Sequence, residues 1–140
     1  MDIEFQQESD AARVFRAMTA PENPKTAEEL LCRFSAAKRP AVQLAAALAA
    51  VFACGDRPEN ADGQLLTYIR RRLRPAAETL IELNRPADLK ALDRLCPFPD
   101  SLAEELFRAA VRMRRTEPVV WLLQRKAERT GFRDRDFTLD

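Results

Sequence analysis

Apolar residues recur at intervals of three and four along most of the chain, the spacing of one face of an α-helix. The pattern predicts a first helix over 9–20, a second from about 26 to 39, and a third over 41–54. Further helices follow on both sides of Pro75, then over 86–95, from 101 onwards, and from about 116 to Gly131. The segment around Pro75 fits one kinked helix or two, and we favour two. The chain is therefore predicted to be all-α, with about seven helices.

Several residues indicate where these helices begin. Thr26 with Glu29 and Ser101 with Glu104 have the spacing of a capping box, in which each side chain bonds the backbone of the other. Pro40 suits a first helical turn, where its missing N–H costs little. We expect a polar loop at 56–63 and a rigid turn at 96–99.

The segment 41–54 is apolar on all sides. A helix without a polar face must be covered by neighbours on most sides. We therefore predict that it is the central helix and that Gly55 caps its C-terminus. Its best core candidates are Leu44, Leu48, Val51 and Phe52.

One spacing recurs in the chain. Leu30-Leu31 is followed by Arg39-Pro40-Ala41, and Leu65-Leu66 is followed by Arg74-Pro75-Ala76. The implied helical hairpins cover 26–54, about 62–84 and 101–130. Such hairpins share a core by stacking, so we predict a right-handed stack of helical hairpins, a short ankyrin-like or HEAT-like α-solenoid, within a single domain spanning 1–140. The alternative is an irregular helical bundle.

The third hairpin, over 101–131, resembles a degenerate ankyrin repeat. Its Leu-x-x-Ala in the first helix and its Glu-x-Val-Val-x-Leu-Leu in the second are similar to that family's pattern, in the residues Leu106, Ala109, Glu117, Val119, Val120, Leu122 and Leu123. Pro118 interrupts the second motif, and the family's Thr-Pro-Leu-His opening has no counterpart. The resemblance implies a protein-binding surface without catalysis. It assigns no contact residues, since the family's binding loops are missing.

Charge is balanced overall, at +1, but only four of the 23 basic residues are lysines. Arginine forks suit phosphate and carboxylate recognition, although a GC-rich genome produces the same excess. The candidate partner-binding or anion-binding residues are Arg70, Arg71 and Arg74 in one cluster, Arg112 and Arg115 in a second, and Trp121 as an interface anchor. We favour the other interpretation in each case: solvated faces neutralised by Glu78, Glu82 and other carboxylates, and a tryptophan packed at the core edge.

The sequence offers no catalytic machinery. It contains no histidine, no Gly-rich phosphate loop and no Cys-x-x-Cys pair. Its three cysteines are interpreted as buried thiols in a reducing compartment. We predict no enzyme activity, no cofactor and no metal site. Without a secretion signal, and with 41–54 too short to span a bilayer, we expect a cytoplasmic protein without membrane association.

These observations favour a non-catalytic protein–protein interaction domain, an adaptor or scaffold, whose protein partner the sequence does not identify. It would act alone or within a larger bacterial assembly, and the hypothesis predicts an apolar groove next to Trp121. The alternative is an Arg-rich nucleic-acid or phosphate-binding helical module. A third interpretation is a self-associating structural protein.

Overall fold

The computed structural model describes residues 9–22, 24–54 and 62–138, with side chains as far as Arg129. Within these ranges the chain forms eight helices and no strand, which confirms the all-α prediction. The helices are α1 (Asp10–Met18), α2 (Ala27–Ala36), α3 (Pro40–Phe52), α4 (Gly63–Arg71), α5 (Leu73–Glu82), α6 (Pro86–Leu95), α7 (Asp100–Arg112) and α8 (Thr116–Thr138).

Two of the predicted helix starts are confirmed. At α2 the Thr26 hydroxyl accepts from the Glu29 N–H at 3.1 Å, and the Glu29 carboxylate accepts from the Thr26 N–H at 3.0 Å. Pro40 is the first residue of α3. These caps satisfy or avoid backbone donors that a helix leaves unpaired at its start.

The second predicted capping box is wrong. Helix α7 begins at Asp100, one residue before Ser101, and its N-cap is Pro99, which makes no side-chain cap hydrogen bond. The proline preceding the helix has already fixed an extended backbone there. Glu104 is thereby free of a capping role and pairs with α8 instead.

Helix α3 is the central helix, as predicted. Its eight residues from Leu44 to Val51 are all buried, and Phe52 is half-buried. It packs against α1, α2, α4 and α5. Alanines fill much of its surface, so those neighbours approach closely. The predicted cap at Gly55 and most of the predicted loop at 56–63 lie outside the described residues; Gly63 itself is the first residue of α4.

Two helices, rather than one kinked helix, surround Pro75, which confirms the favoured alternative. The break lies at Arg72, three residues before the proline. Pro75 is thus the third residue of α5. The N–H groups of a helix's first turn have no partner within the helix, so a proline there loses no hydrogen bond. Helices α4 and α5 make few contacts with each other, and α5 packs mainly on α7 and α6. The unit predicted at 62–84 is therefore not a helical hairpin, and the solenoid arrangement is not confirmed.

Polar contacts link α1 to the second half of the chain. The Glu82 carboxylate at the end of α5 accepts from the backbone N–H and the hydroxyl of Ser9, at 2.6 and 2.9 Å. The Arg85 guanidinium donates to the Thr19 hydroxyl at 2.9 Å and stacks over the Phe15 ring. These contacts and the α3 core hold the two halves together.

Helices α5 and α7 end in the same way. Asn84 and Arg114 adopt positive φ angles of 55° and 60°. After each of them, a backbone N–H reaches back to a carbonyl five residues earlier, from Arg85 to Leu80 and from Arg115 to Ala110. This left-handed cap is usually a glycine. It turns the chain sharply, so that α6 and α8 fold back on the helices before them.

Helix α8 is longer than predicted, because its backbone stays helical through Gly131 to Thr138. From the sequence we expect Phe132, Phe137 and Leu139 to pack back onto the last helices. Their side chains lie outside the described part of the chain. Among the described helices, none combines the length and apolar character needed to cross a bilayer.

Candidate interaction surface

Helices α7 and α8 form an antiparallel hairpin whose register two ion pairs fix. The Lys126 ammonium lies 3.0 Å from the Glu104 carboxylate, and the Arg129 guanidinium lies 3.2 Å from that of Asp100. Each pair places an acid on α7 opposite a base on α8. Both pairs are largely exposed, so their role is in register rather than stability.

Between these helices runs a groove of about 350 Å³. Its floor and walls combine the ion-paired residues with apolar side chains, and its lining residues are Asp100, Ala103, Glu104, Phe107, Leu122, Leu123, Arg125, Lys126 and Arg129. Leu123 is 49% exposed and Phe107 is half-buried. Leu122 forms the buried floor. The groove therefore exposes apolar surface.

The apolar surface continues beyond the groove. Val111 lies four residues after Phe107 on the same face of α7 and is 50% exposed. Val120 lies one turn before Leu123 on α8 and is 46% exposed. Within the described residues, these two valines and Leu123 are the large apolar side chains that remain exposed. All three belong to one hairpin.

A buried network fixes α8 beneath this groove. The Arg125 guanidinium donates two hydrogen bonds to the Asp93 carboxylate on α6, at 2.9 and 3.2 Å, and one to the Phe98 carbonyl, at 2.9 Å. The Phe98 N–H donates to Asp93 at 2.9 Å. Arg125 is only 8% exposed. The network ties α6, the turn at 96–99 and α8 into one rigid support.

Neither Arg125 nor Asp93 was among the candidate residues predicted from the sequence. A signal for the pairing was present. Phe98 lies between Pro97 and Pro99, so it has the only backbone N–H of those three residues. A buried N–H requires an acceptor, and Asp93, five residues earlier, supplies it.

Trp121 packs at the edge of the core, as the favoured interpretation predicted. It is half-buried and meets Phe98 edge to face, with ring centroids 6.4 Å apart. The groove was predicted next to Trp121. It instead opens on the neighbouring side of α8, along Leu122 and Leu123, and Trp121 is not among its lining residues.

The first predicted arginine cluster divides between different partners. Arg74 belongs to α5 and pairs with Glu78 at 3.3 Å and with Glu105 on α7 at 3.3 Å. Neutralisation by Glu78 is therefore present, whereas Glu82 bonds Ser9 instead. Arg74 consequently joins two helices of the fold.

Arg70 and Arg71 end helix α4 and are both exposed. Arg70 contacts the buried thiol of Cys96; burial raises the pKa of this thiol, and Arg70 partly offsets the rise. The prediction of buried cysteines holds for Cys96 alone, because Cys32 is exposed and Cys54 half-buried.

Arg71 borders a shallow cleft of about 450 Å³. Arg72 also lines it and lies over the ring of Tyr68, with its guanidinium carbon 4.7 Å from the ring centroid. Tyr68 meets Phe34 edge to face at 5.0 Å, and burial raises the pKa of its hydroxyl. Within the described residues this hydroxyl has no hydrogen-bond partner.

The second arginine cluster is not continuous with the first. Arg112 is exposed, and it lies seven residues after Glu105, the partner of Arg74, or about 10 Å further along α7. Arg115 is half-buried in the turn to α8, and its Nε atom finds no acceptor among the described residues. The five predicted arginines therefore do not form one basic stripe.

Comparison with known proteins adds no relationship: no family model matches the chain, and neither curated proteins nor solved structures gave a match.

Proposed function

We propose that this chain is a non-catalytic protein–protein interaction domain, an adaptor or scaffold, and that the groove between α7 and α8 is its binding surface. The observation that carries the proposal is the exposed apolar surface of this hairpin, formed by Val111, Val120 and Leu123. Clustered exposed apolar side chains mark interaction sites more often than scattered ones. The ankyrin resemblance of the same segment stays a prediction and implies the same kind of function.

Two features support such a role: helix α8 is held rigidly from below, and the groove side chains above it are exposed. Arg125, Asp93 and Phe98 fix α8 from below, so the groove side chains need little reordering when a partner binds. A preorganised surface loses less entropy on association. Covering the exposed halves of Leu123 and Val111 contributes roughly 1 kcal/mol each, on the scale of apolar burial.

Capture from a cell extract of the source organism tests this surface. We compare the wild type with Leu123→Asp, which places a charge in the groove, and with Gln124→Asp, the matched control one residue further on. We expect a protein that the wild type and the control retain and Leu123→Asp loses. The same set of proteins on all three baits contradicts the proposal.

A second candidate function is phosphate or nucleic-acid binding, and the cleft beside Arg71 and Arg72 favours it. Two arginine forks next to Tyr68 offer charge and an aromatic ring together. The pairing of Arg74 with two carboxylates speaks against an extended basic site. Binding of a labelled single-stranded oligonucleotide that weakens steeply with salt and is lost in Arg71→Gln would support it. No binding at low salt removes it.

A further inference from the structure

The α7–α8 face is complementary in charge to itself. At two levels along the hairpin an acid on α7 stands opposite a base on α8, in the pairs Asp100–Arg129 and Glu104–Lys126. At the next level the apolar side chain of Phe107 stands near Leu123. At the two charged levels the acid lies on α7 and the base on α8, so each pair is neutral. The hydrogen bond and charge of Lys126 lower the pKa of Glu104, and Arg108, one turn after Glu104 on α7, also helps to lower it.

This pattern is self-complementary about a two-fold axis that runs parallel to the hairpin and passes above the groove. Such an axis brings α7 of one copy over α8 of the other at the same height. Asp100 and Glu104 then face Arg129 and Lys126 of the second copy, while Phe107 faces Leu123. Every helix in the resulting four-helix arrangement has antiparallel neighbours, which is a common bundle geometry.

We infer that the partner of this face is a second copy of the chain, paired through the α7–α8 groove about that two-fold axis. The inference rests on the proposed function and names its occupant. Symmetric pairs through one self-complementary patch are the commonest soluble oligomers. The exposed apolar side chains provide the buried centre, and the ion pairs form its polar border.

Sedimentation over a concentration series tests the pairing. As the protein concentration rises to roughly 200 µM, we expect the mass of the wild type to approach twice the 15.9 kDa of one chain. A dissociation constant much above this value would mean that the contacts barely offset the entropy lost on association. Leu123→Asp weakens association by at least roughly 100-fold, because two carboxylates enter the apolar centre. Gln124→Asp leaves it unchanged, and circular dichroism verifies that each variant folds.

Charge exchange tests the geometry separately. Glu104→Lys alone places like charges opposite Lys126, both within the chain and across the interface, and we expect it to be monomeric. The double variant Glu104→Lys/Lys126→Glu restores both contacts and pairs with itself. It does not pair with the wild type, since the mixed interface sets Glu against Glu and Lys against Lys. Free mixing of the two, measured with differently tagged copies, overturns the proposed geometry.

A wild type that remains monomeric throughout overturns self-pairing. The capture experiment with Leu123→Asp is independent of this result, because it identifies proteins other than the chain itself. Loss of self-pairing with retained capture therefore leaves the proposed function standing with a different partner. Absence of both overturns the groove as a binding surface.

Discussion

Replacing Arg125 by methionine tests whether the buried network supports α8. Methionine keeps an unbranched apolar stem and removes the guanidinium. The variant therefore loses two hydrogen bonds to Asp93 and one to the Phe98 carbonyl. The Asp93 side chain is 19% exposed, so its carboxylate stays largely buried with only the Phe98 N–H as a donor.

Breaking a buried ion pair from one side costs about 3–5 kcal/mol, because an uncompensated charge remains. For a chain of this length we convert each kcal/mol to a fall of about 3–5 °C in Tm. We therefore expect Arg125→Met to lower Tm by at least about 10 °C. Asp93→Asn/Arg125→Met should lose less than the sum of the single variants, since neither charge remains.

The assay is thermal unfolding followed by circular dichroism, with calorimetry of the same samples. Arg129→Met is the matched control, because its partner Asp100 is 81% exposed and an exposed pair contributes at most about 1 kcal/mol. Equal and small shifts for Arg125→Met and Arg129→Met would refute the network as the support of α8.

Three further predictions concern the fold. Arg114→Gly should raise the free energy of unfolding, measured by urea titration, by about 0.5–1 kcal/mol, because the positive φ strains an arginine. Asn84→Gly should raise it less, since asparagine tolerates that conformation. An equal fall in the free energy of unfolding for both variants would contradict the left-handed caps. Ala47→Leu should lower the free energy of unfolding by about 1–3 kcal/mol by overpacking the fully buried face of α3. Ala36→Leu, at an exposed position, should leave it nearly unchanged. Equal denaturation midpoints for these two variants would exclude a tightly covered α3. Capping hydrogen bonds hold the pKa of Glu29 below its ordinary 4.5, so this carboxylate stabilises the fold above that pH and the contribution is lost as the pH falls through the lowered pKa. Glu29→Gln should therefore flatten the pH dependence of Tm below pH 4.5, and an unchanged profile would contradict the capping role.

Local signals in the sequence predicted the helices well. The apolar spacing located them, and the Thr26–Glu29 box and Pro40 gave correct starts, because caps depend on a few adjacent residues. The apolar character of 41–54 identified the central helix for a similar reason: a helix without a polar face can only be buried. The break near Pro75 was predicted one turn too late, since a proline is tolerated within the first turn.

The arrangement of helices was harder to predict. Matching landmarks at Pro40 and Pro75 suggested equal hairpins, yet α4 and α5 separate and α5 packs on α7. The sharp turns at Asn84 and Arg114 have no glycine at the positive-φ position, so the usual sequence signal for such a turn is missing.

The sequence did not predict which side of α8 is exposed. Trp121 drew attention to α8, although the exposed apolar residues are Leu123 and Val120. Which side of a helix faces outward depends on neighbours distant in sequence. Asp93 on α6 decides this for α8 by pairing with Arg125, and their separation of 32 residues hides the contact from local patterns.

Photo-crosslinking tests the claim of an α7–α8 binding surface most directly. A photoreactive amino acid replaces Leu123 in one sample and exposed Glu28 on α2 in the other, and both are illuminated in extract of the source organism. The account predicts a discrete crosslinked product from position 123, to a second copy or another protein, and none from position 28. Matching products at both positions, or no product at 123, would contradict it.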